Sequence, residues 1–189
     1  FYESGYRATS MESIADELSA TKPFIYYHFK NKYDILEAIA VRVIELANES
    51  LSKALEDGGE PVDVLAGMVR NYARLVVEEQ RIIAVFWREE SNFTPETLSK
   101  VLEQQQRFTG MLCEVLEQGQ AQGQFKVSHT RLTALAIMNL VTFMYTWYRD
   151  GGAMAVDELC DHFVQYTLHM VQHTSVRTGG AATVGDDLG

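Results

Sequence analysis

Residues 21–34 read TKPFIYYHFKNKYD: lysines at 22, 30 and 32, tyrosines at 26, 27 and 33, a histidine at 28, and no acid before the last position. The nearest upstream acid is Glu17, in a chain whose formal net charge is −10. Lys22, Lys30 and Lys32 suit phosphate groups. Tyr26 and His28, read as sharing one helical face, add hydrogen-bond donors on rigid stems. Together these groups can hold a nucleic acid backbone, while contacts to base edges would supply specificity. The overall acidity excludes a chain that coats nucleic acid along its whole surface but leaves room for one local patch.

Other reactive residue types are poorly grouped. Glu89 and Glu90 are adjacent, so on a helix they point about 100° apart and make no acid/base pair; they read as surface charge. His162, His169 and His173 recur at helical spacing, but no further ligand stands beside them, and they read as the polar rim of a helix rather than a metal site. Cys113 has no neighbouring base and lies in an apolar run. With Cys160 it forms no disulfide framework, which fits a reducing compartment. No phosphate-binding glycine loop, nucleophile elbow or Cys-x-x-Cys occurs in the sequence. No catalytic residue, metal or cofactor is therefore assigned.

Helical periodicity runs throughout, and no alternation is long enough for a strand, so the chain reads as all-α. Apolar residues make up 47%, enough for a sizeable core. Charges or amides break every apolar run before the ~18 residues that a membrane span requires. The first helix with a clear start covers residues 10–18, capped by Thr9 or Ser10, with Glu12 at capping-box spacing from Thr9. Ser19-Ala20-Thr21 separates it from a helix at 22–29, capped by Thr21 and carrying Pro23 in its first turn. A long helix follows at 32–55. Two short helices across a three-residue break have the layout of a helix-turn-helix, whose second helix enters the major groove. Further helices are expected at 61–78, 81–90, 95–122, 132–149 and 156–173, and the glycine-rich end at 176–189 reads as a disordered tail.

Residues 5–36, GYRATSMESIADELSATKPFIYYHFKNKYDIL, resemble the DNA-binding region of the TetR family of transcriptional repressors. The resemblance is carried by the Gly5-Tyr6 entry with Thr9-Ser10, by Ile14-Ala15 inside the second helix, by the small-residue turn, and by IYYHFKNK ending at Lys32. It implies that Ser10 meets a phosphate, that Lys22, Phe24 and Tyr26 face the groove, and that Tyr27, His28 and Lys32 contact DNA or support residues that do. Thr21 joins this set at the head of the recognition helix. Ile25 and Phe29 match core positions. Phe24 departs from the small or hydroxylated residue common there, and is read as packing or as meeting a thymine methyl. The family's first helix is represented by FYESGY alone.

The same resemblance implies a helix-turn-helix domain over residues 1–50 and an effector-binding, dimerising helical bundle over 51–175. LTALAIMNLVTFMYTWYR, residues 132–149, is apolar nearly all round, which predicts burial of both faces. With a stripe of Leu159, Phe163, Tyr166, Thr167 and Met170 on the last helix, it implies a four-helix interface in a homodimer, which places two recognition helices ~34 Å apart. The expected effector lining is Phe86, Trp87, Phe108, Met138, Phe143, Trp147 and Arg149. The stretch TFMYTWYRDGG resembles one found in TetR-type regulators of fatty-acid, sterol or aromatic catabolism. This implies an acyl-CoA thioester as first candidate, with its phosphates met by Arg149, Arg88, Arg81 or Arg107. A hydrophobic drug or aromatic acid is the runner-up. The expected function is that of a cytoplasmic repressor, not an enzyme, released from double-stranded operator DNA by a small hydrophobic effector, with no membrane partner. The rival reading, an all-helical small-molecule-binding protein or enzyme without a DNA role, explains the aromatic bundle but not the acid-free window. A protein-binding adaptor is the third reading, and a salt-dependent shift of a labelled duplex separates the three.

Overall fold

Side-chain caps set five of the helix starts in the computed structural model, which describes residues 1–172 and leaves His173 and the expected tail outside them. In chain order the helices are α1 (Gly5–Ala8), α2 (Met11–Glu17), α3 (Lys22–His28), α4 (Lys32–Asp57), α5 (Pro61–Glu78), α6 (Gln80–Glu89), α7 (Pro95–Ala121), α8 (Thr130–Thr142), α9 (Met144–Trp147) and α10 (Val156–Gln172). A short 3-10 turn, Glu90–Asn92, follows α6, and no strand occurs among the described residues. Thr21 accepts the Phe24 N–H, Asn31 accepts those of Tyr33 and Asp34, and Thr94 accepts that of Thr97. Each satisfies first-turn donors that the helix itself cannot. The α2 box differs from the expected one: Ser10 and Ser13 cap reciprocally, while the Thr9 hydroxyl donates back to the Gly5 carbonyl at 2.7 Å.

The turn between α2 and α3 is closed by Ser19 N–H to the Asp16 carbonyl at 3.0 Å and Ala20 N–H to the Ala15 carbonyl at 2.9 Å. This places Ser19 at φ 51°, a left-handed position usually held by glycine. Met11, Ala15 and Ile25 form a small core with Ala20, Phe29 and Ile35 packed on it. Ile35 belongs to α4, so α4 carries the head on its first turn. Its later residues Leu36, Ala40, Val43, Ile44 and Ala47 enter the large core built with α5, α6, α7, α8 and α10.

The expected helix at 132–149 is broken. It starts at Thr130, where His129 accepts the Leu132 N–H, and stops at Thr142. There the Thr142 hydroxyl donates to the Met138 carbonyl at 2.7 Å, a back-bond that bends helices. Phe143 then turns the chain into α9. Within the single chain only one face of this segment is covered. Ala134, Ile137 and Val141 are buried, whereas Leu132, Leu140, Phe143 and Trp147 are exposed. The α10 stripe divides in the same way: Leu159, Phe163 and Thr167 are buried, and Tyr166 and Met170 face outward.

Candidate DNA interface and effector cavity

Only Ile25 of α3 is buried, so the helix offers nearly its whole surface. Phe24, Tyr26 and Tyr27 are 57%, 46% and 84% exposed, an unusual cost for aromatic rings that no partner covers. His28 packs edge-on against Phe24 at 4.9 Å and Tyr27 at 5.0 Å. The expectation that Tyr26 and His28 share a face therefore fails, since two residues turn a helix through about 200°. Ser10 and Thr21 both serve as caps. Lys22 pairs with Glu12 at 3.6 Å, both side chains being half exposed. The Glu12 carboxyl is held below its usual range by its own backbone N–H and then by Lys22.

Lys32 does something else. Its ammonium turns inward, donating to the carbonyls of Tyr6 at 2.9 Å, Arg7 at 3.2 Å and Thr9 at 3.1 Å. It also lies 4.5 Å above the centre of the Tyr6 ring. Lys32 is thus a support that fastens α1 to α4, and Lys22 and Lys30 remain as the outward ammonium groups. Tyr33, which the sequence did not mark, joins α4 to the start of α7: it accepts the Thr94 N–H at 2.9 Å and bonds the Thr97 hydroxyl at 2.9 Å.

The seven expected effector residues do not form one site. Phe86, Trp87, Phe108 and Met138 line an inner cavity of about 40 Å³ enclosed by α4, α5, α6, α7 and α8. One water needs about 10–15 Å³ on this measure, so the cavity has room for a few waters at most. Its buried polar pair is Tyr72 and Thr142, 2.7 Å apart. Thr142 donates to Met138, so Tyr72 donates to Thr142. Burial pushes the Tyr72 phenol up to about 12, against a smaller opposing pull from that hydrogen bond. Trp147 and Arg149 instead border an outer groove of about 660 Å³ with Met154, Phe163 and Tyr166. Arg149 folds back onto the Tyr148 carbonyl at 2.8 Å. Phe143 is 56% exposed and lines neither space.

None of the four arginines weighed for phosphate binding lines the inner cavity. Arg81 lies over the Tyr2 ring, and Arg107 shares a polar groove with Glu45, Glu49 and Glu56. Arg88 donates to the Tyr2 carbonyl at 2.9 Å and the Phe1 carbonyl at 2.5 Å. Glu89 is 7% exposed, which overturns its reading as surface charge; Glu90 beside it is exposed.

A helix-turn-helix head carried by a long helix that continues into the wall of an apolar cavity is matched by two family models. "Bacterial regulatory proteins, tetR family" covers residues 1–39, and "Tetracyclin repressor-like, C-terminal domain" covers residues 58–171. The chain belongs to the TetR family. It is a helix-turn-helix transcriptional regulator of that family. Among curated relatives, the HTH-type transcriptional repressor KstR2 of Mycolicibacterium smegmatis is 21% identical over 173 residues, covering 89% of this chain and 83% of that protein. Among solved structures, the TetR-family regulator PfmR from Thermus thermophilus superposes with a TM-score of 0.82 at 27% identity, over 89% of this chain and 92% of that one. AibR in complex with isovaleryl coenzyme A and operator DNA gives a TM-score of 0.74 at 23% identity, over 90% and 91% of the two chains.

Proposed function

We propose that this TetR-family protein is a cytoplasmic, homodimeric repressor that holds operator DNA through α3 and lets go when a small hydrophobic effector enters the inner cavity. The observation that carries the reading is the course of α4. It is continuous from Lys32 to Asp57, bears Ile35 in the head's core, and bears Val43, Ile44 and Ala47 on the cavity wall. In this reading the head and the bundle share α4 across the expected boundary near residue 50. A ligand shifts a two-state equilibrium only by its differential affinity for the two states. Here the differential arises because a cavity of about 40 Å³ must widen to admit any acyl group, and widening displaces α4.

Dimerisation is supported by the outward stripe of Leu132, Leu140, Phe143 and Trp147, with Tyr166 and Met170 beside it, all at least 36% exposed. An apolar surface of this extent on a regulator that reads DNA calls for a second copy of itself. The effector class follows from the lining: apolar walls with one hydrogen-bonding pair, Tyr72 and Thr142, suit a compact acyl chain bearing a carbonyl. Isovaleryl coenzyme A, the ligand named for the AibR complex, makes a short-chain acyl-CoA thioester the first probe. Hydrophobic drugs and aromatic acids come second.

The test is an operator-release assay with a panel of CoA thioesters, their free acids and unrelated apolar compounds. Release by thioesters alone supports the reading. Release by free acids or drugs while every thioester fails removes the acyl-CoA assignment and leaves the repressor standing.

A further inference from the structure

The last two residues of α6, Arg88 and Glu89, form a polar cluster that neither the recognition helix nor the cavity uses. The Glu89 carboxylate accepts from Arg88 Nε at 3.0 Å, from Asn92 Nδ2 at 2.9 Å and from the Tyr6 backbone N–H at 3.2 Å. The guanidinium of Arg88 donates to the carbonyls of Phe1 and Tyr2 at 2.5 and 2.9 Å. A carboxylate withdrawn from water is unfavourable unless its lone pairs are filled. Here they are filled across a tertiary interface, between residues 83 positions apart.

The two side chains read opposite ends of one piece of backbone. The cation takes carbonyls before Gly5, the anion takes an N–H after it, and Gly5 turns the chain between them at φ 77°. Lys32 takes further carbonyls of the same segment, those of Tyr6, Arg7 and Thr9. Residues 1–9 are therefore held by side chains of both α4 and α6. Helix α6 is also a cavity wall through Ile83, Phe86 and Trp87. Phe86 and Glu89 are three residues apart, about 4.5 Å along the helix axis.

We propose that Arg88 and Glu89 are positioning residues, a backbone clamp that fixes the orientation of the DNA-binding head on the effector bundle, and that effector entry loosens it through α6. The proposal rests on the reading of the protein as an effector-released operator binder. Widening the cavity pushes on Phe86 and Trp87, α6 moves as a unit, and the Glu89 carboxylate leaves the Tyr6 N–H. The head is then held by α4 alone and can swing. The spacing of the two recognition helices no longer matches the half-sites, and the operator is released.

The experiment uses a duplex operator selected from a random library by the wild-type protein, and versions with one base pair added or removed between half-sites. One pair shifts a half-site by about 3.4 Å and rotates it by about 35°. Wild type is expected to lose about tenfold or more in affinity for either altered spacing. Glu89→Ala is expected to bind all three spacings within about threefold of one another, and exposed Glu90→Ala to behave as wild type. A purely structural role for Glu89 would lower stability and leave the spacing preference intact. If Glu89→Ala does not fold by circular dichroism, Arg88→Ala, whose side chain is 45% exposed, carries the same test. A folded clamp variant with the wild-type spacing preference overturns the proposal. If the wild-type protein selects no duplex, the operator-binding reading fails and the clamp falls with it.

Discussion

Replacing Lys32 by Met separates two roles that a lysine beside a recognition helix can play. Met keeps an apolar stem over the Tyr6 ring and removes the donor that meets three carbonyls at 2.9, 3.2 and 3.1 Å. A hydrogen bond from a charged group contributes ~1.5–3 kcal/mol net. The three bonds share one ammonium that is only half-buried, so they do not sum, and the expected loss is ~2–3 kcal/mol. For a chain of this size that corresponds to a fall of about 4–12 °C in the thermal midpoint followed by circular dichroism. Operator affinity should fall too, because α1 is no longer fastened to α4. The salt dependence decides between the roles. A lysine that neutralises a phosphate contributes ~0.9 to the slope of log affinity against log salt, or ~1.8 per dimer. For Lys32→Met the slope should stay at the wild-type value while affinity falls at every salt concentration. A slope reduced by ~1.8 with an unchanged thermal midpoint would refute the inward role of Lys32.

Lys22→Ala should show the opposite pattern, a slope reduced by ~1.8 per dimer with normal stability; Tyr26→Ala should weaken specific binding by ~1–3 kcal/mol per subunit with normal helicity, and normal affinity in both variants would move the contact off α3. Tyr72 titrates from 10.0 in the unfolded chain to about 12 when folded, so its contribution is complete below pH 10 and is lost as pH rises through 12. That term amounts to about 3 kcal/mol, and urea titrations should show Tyr72→Phe losing less stability than wild type between those pH values. Leu140→Glu, on the outward stripe of α8, should convert a species of about twice 21.3 kDa into one of 21.3 kDa in sedimentation, without loss of helicity.

Local chemistry in the sequence was enough for the frame. Thr21, Thr94, Pro23, Pro61 and Pro95 marked helix starts because capping and the missing proline N–H act within one turn. The helix-turn-helix and the long α4 were legible for the same reason. What escaped depends on partners far along the chain. Lys32 turns inward toward carbonyls 23 to 26 residues away, and Glu89 is buried by a backbone N–H 83 residues away. No spacing rule brings either pair together. The expected effector residues were mostly chosen for size and apolarity, properties that a cavity wall shares with an outward apolar stripe. The break at Phe143, set by the Thr142 back-bond, sent Trp147 and Arg149 to the outer groove.

The central claim is that cavity occupancy changes the separation of the two recognition helices. Pulsed electron paramagnetic resonance measures that distance in the dimer, with a nitroxide on Leu18→Cys, which is 64% exposed beside α3 and outside the proposed contact set. Cys113→Ser removes the half-buried native thiol, and Cys160 is fully buried. Operator-bound protein should give one narrow distribution consistent with recognition helices ~34 Å apart. Adding the thioester that releases the operator should shift or broaden that distribution. Release of the operator with an unchanged, equally narrow distribution would contradict the account.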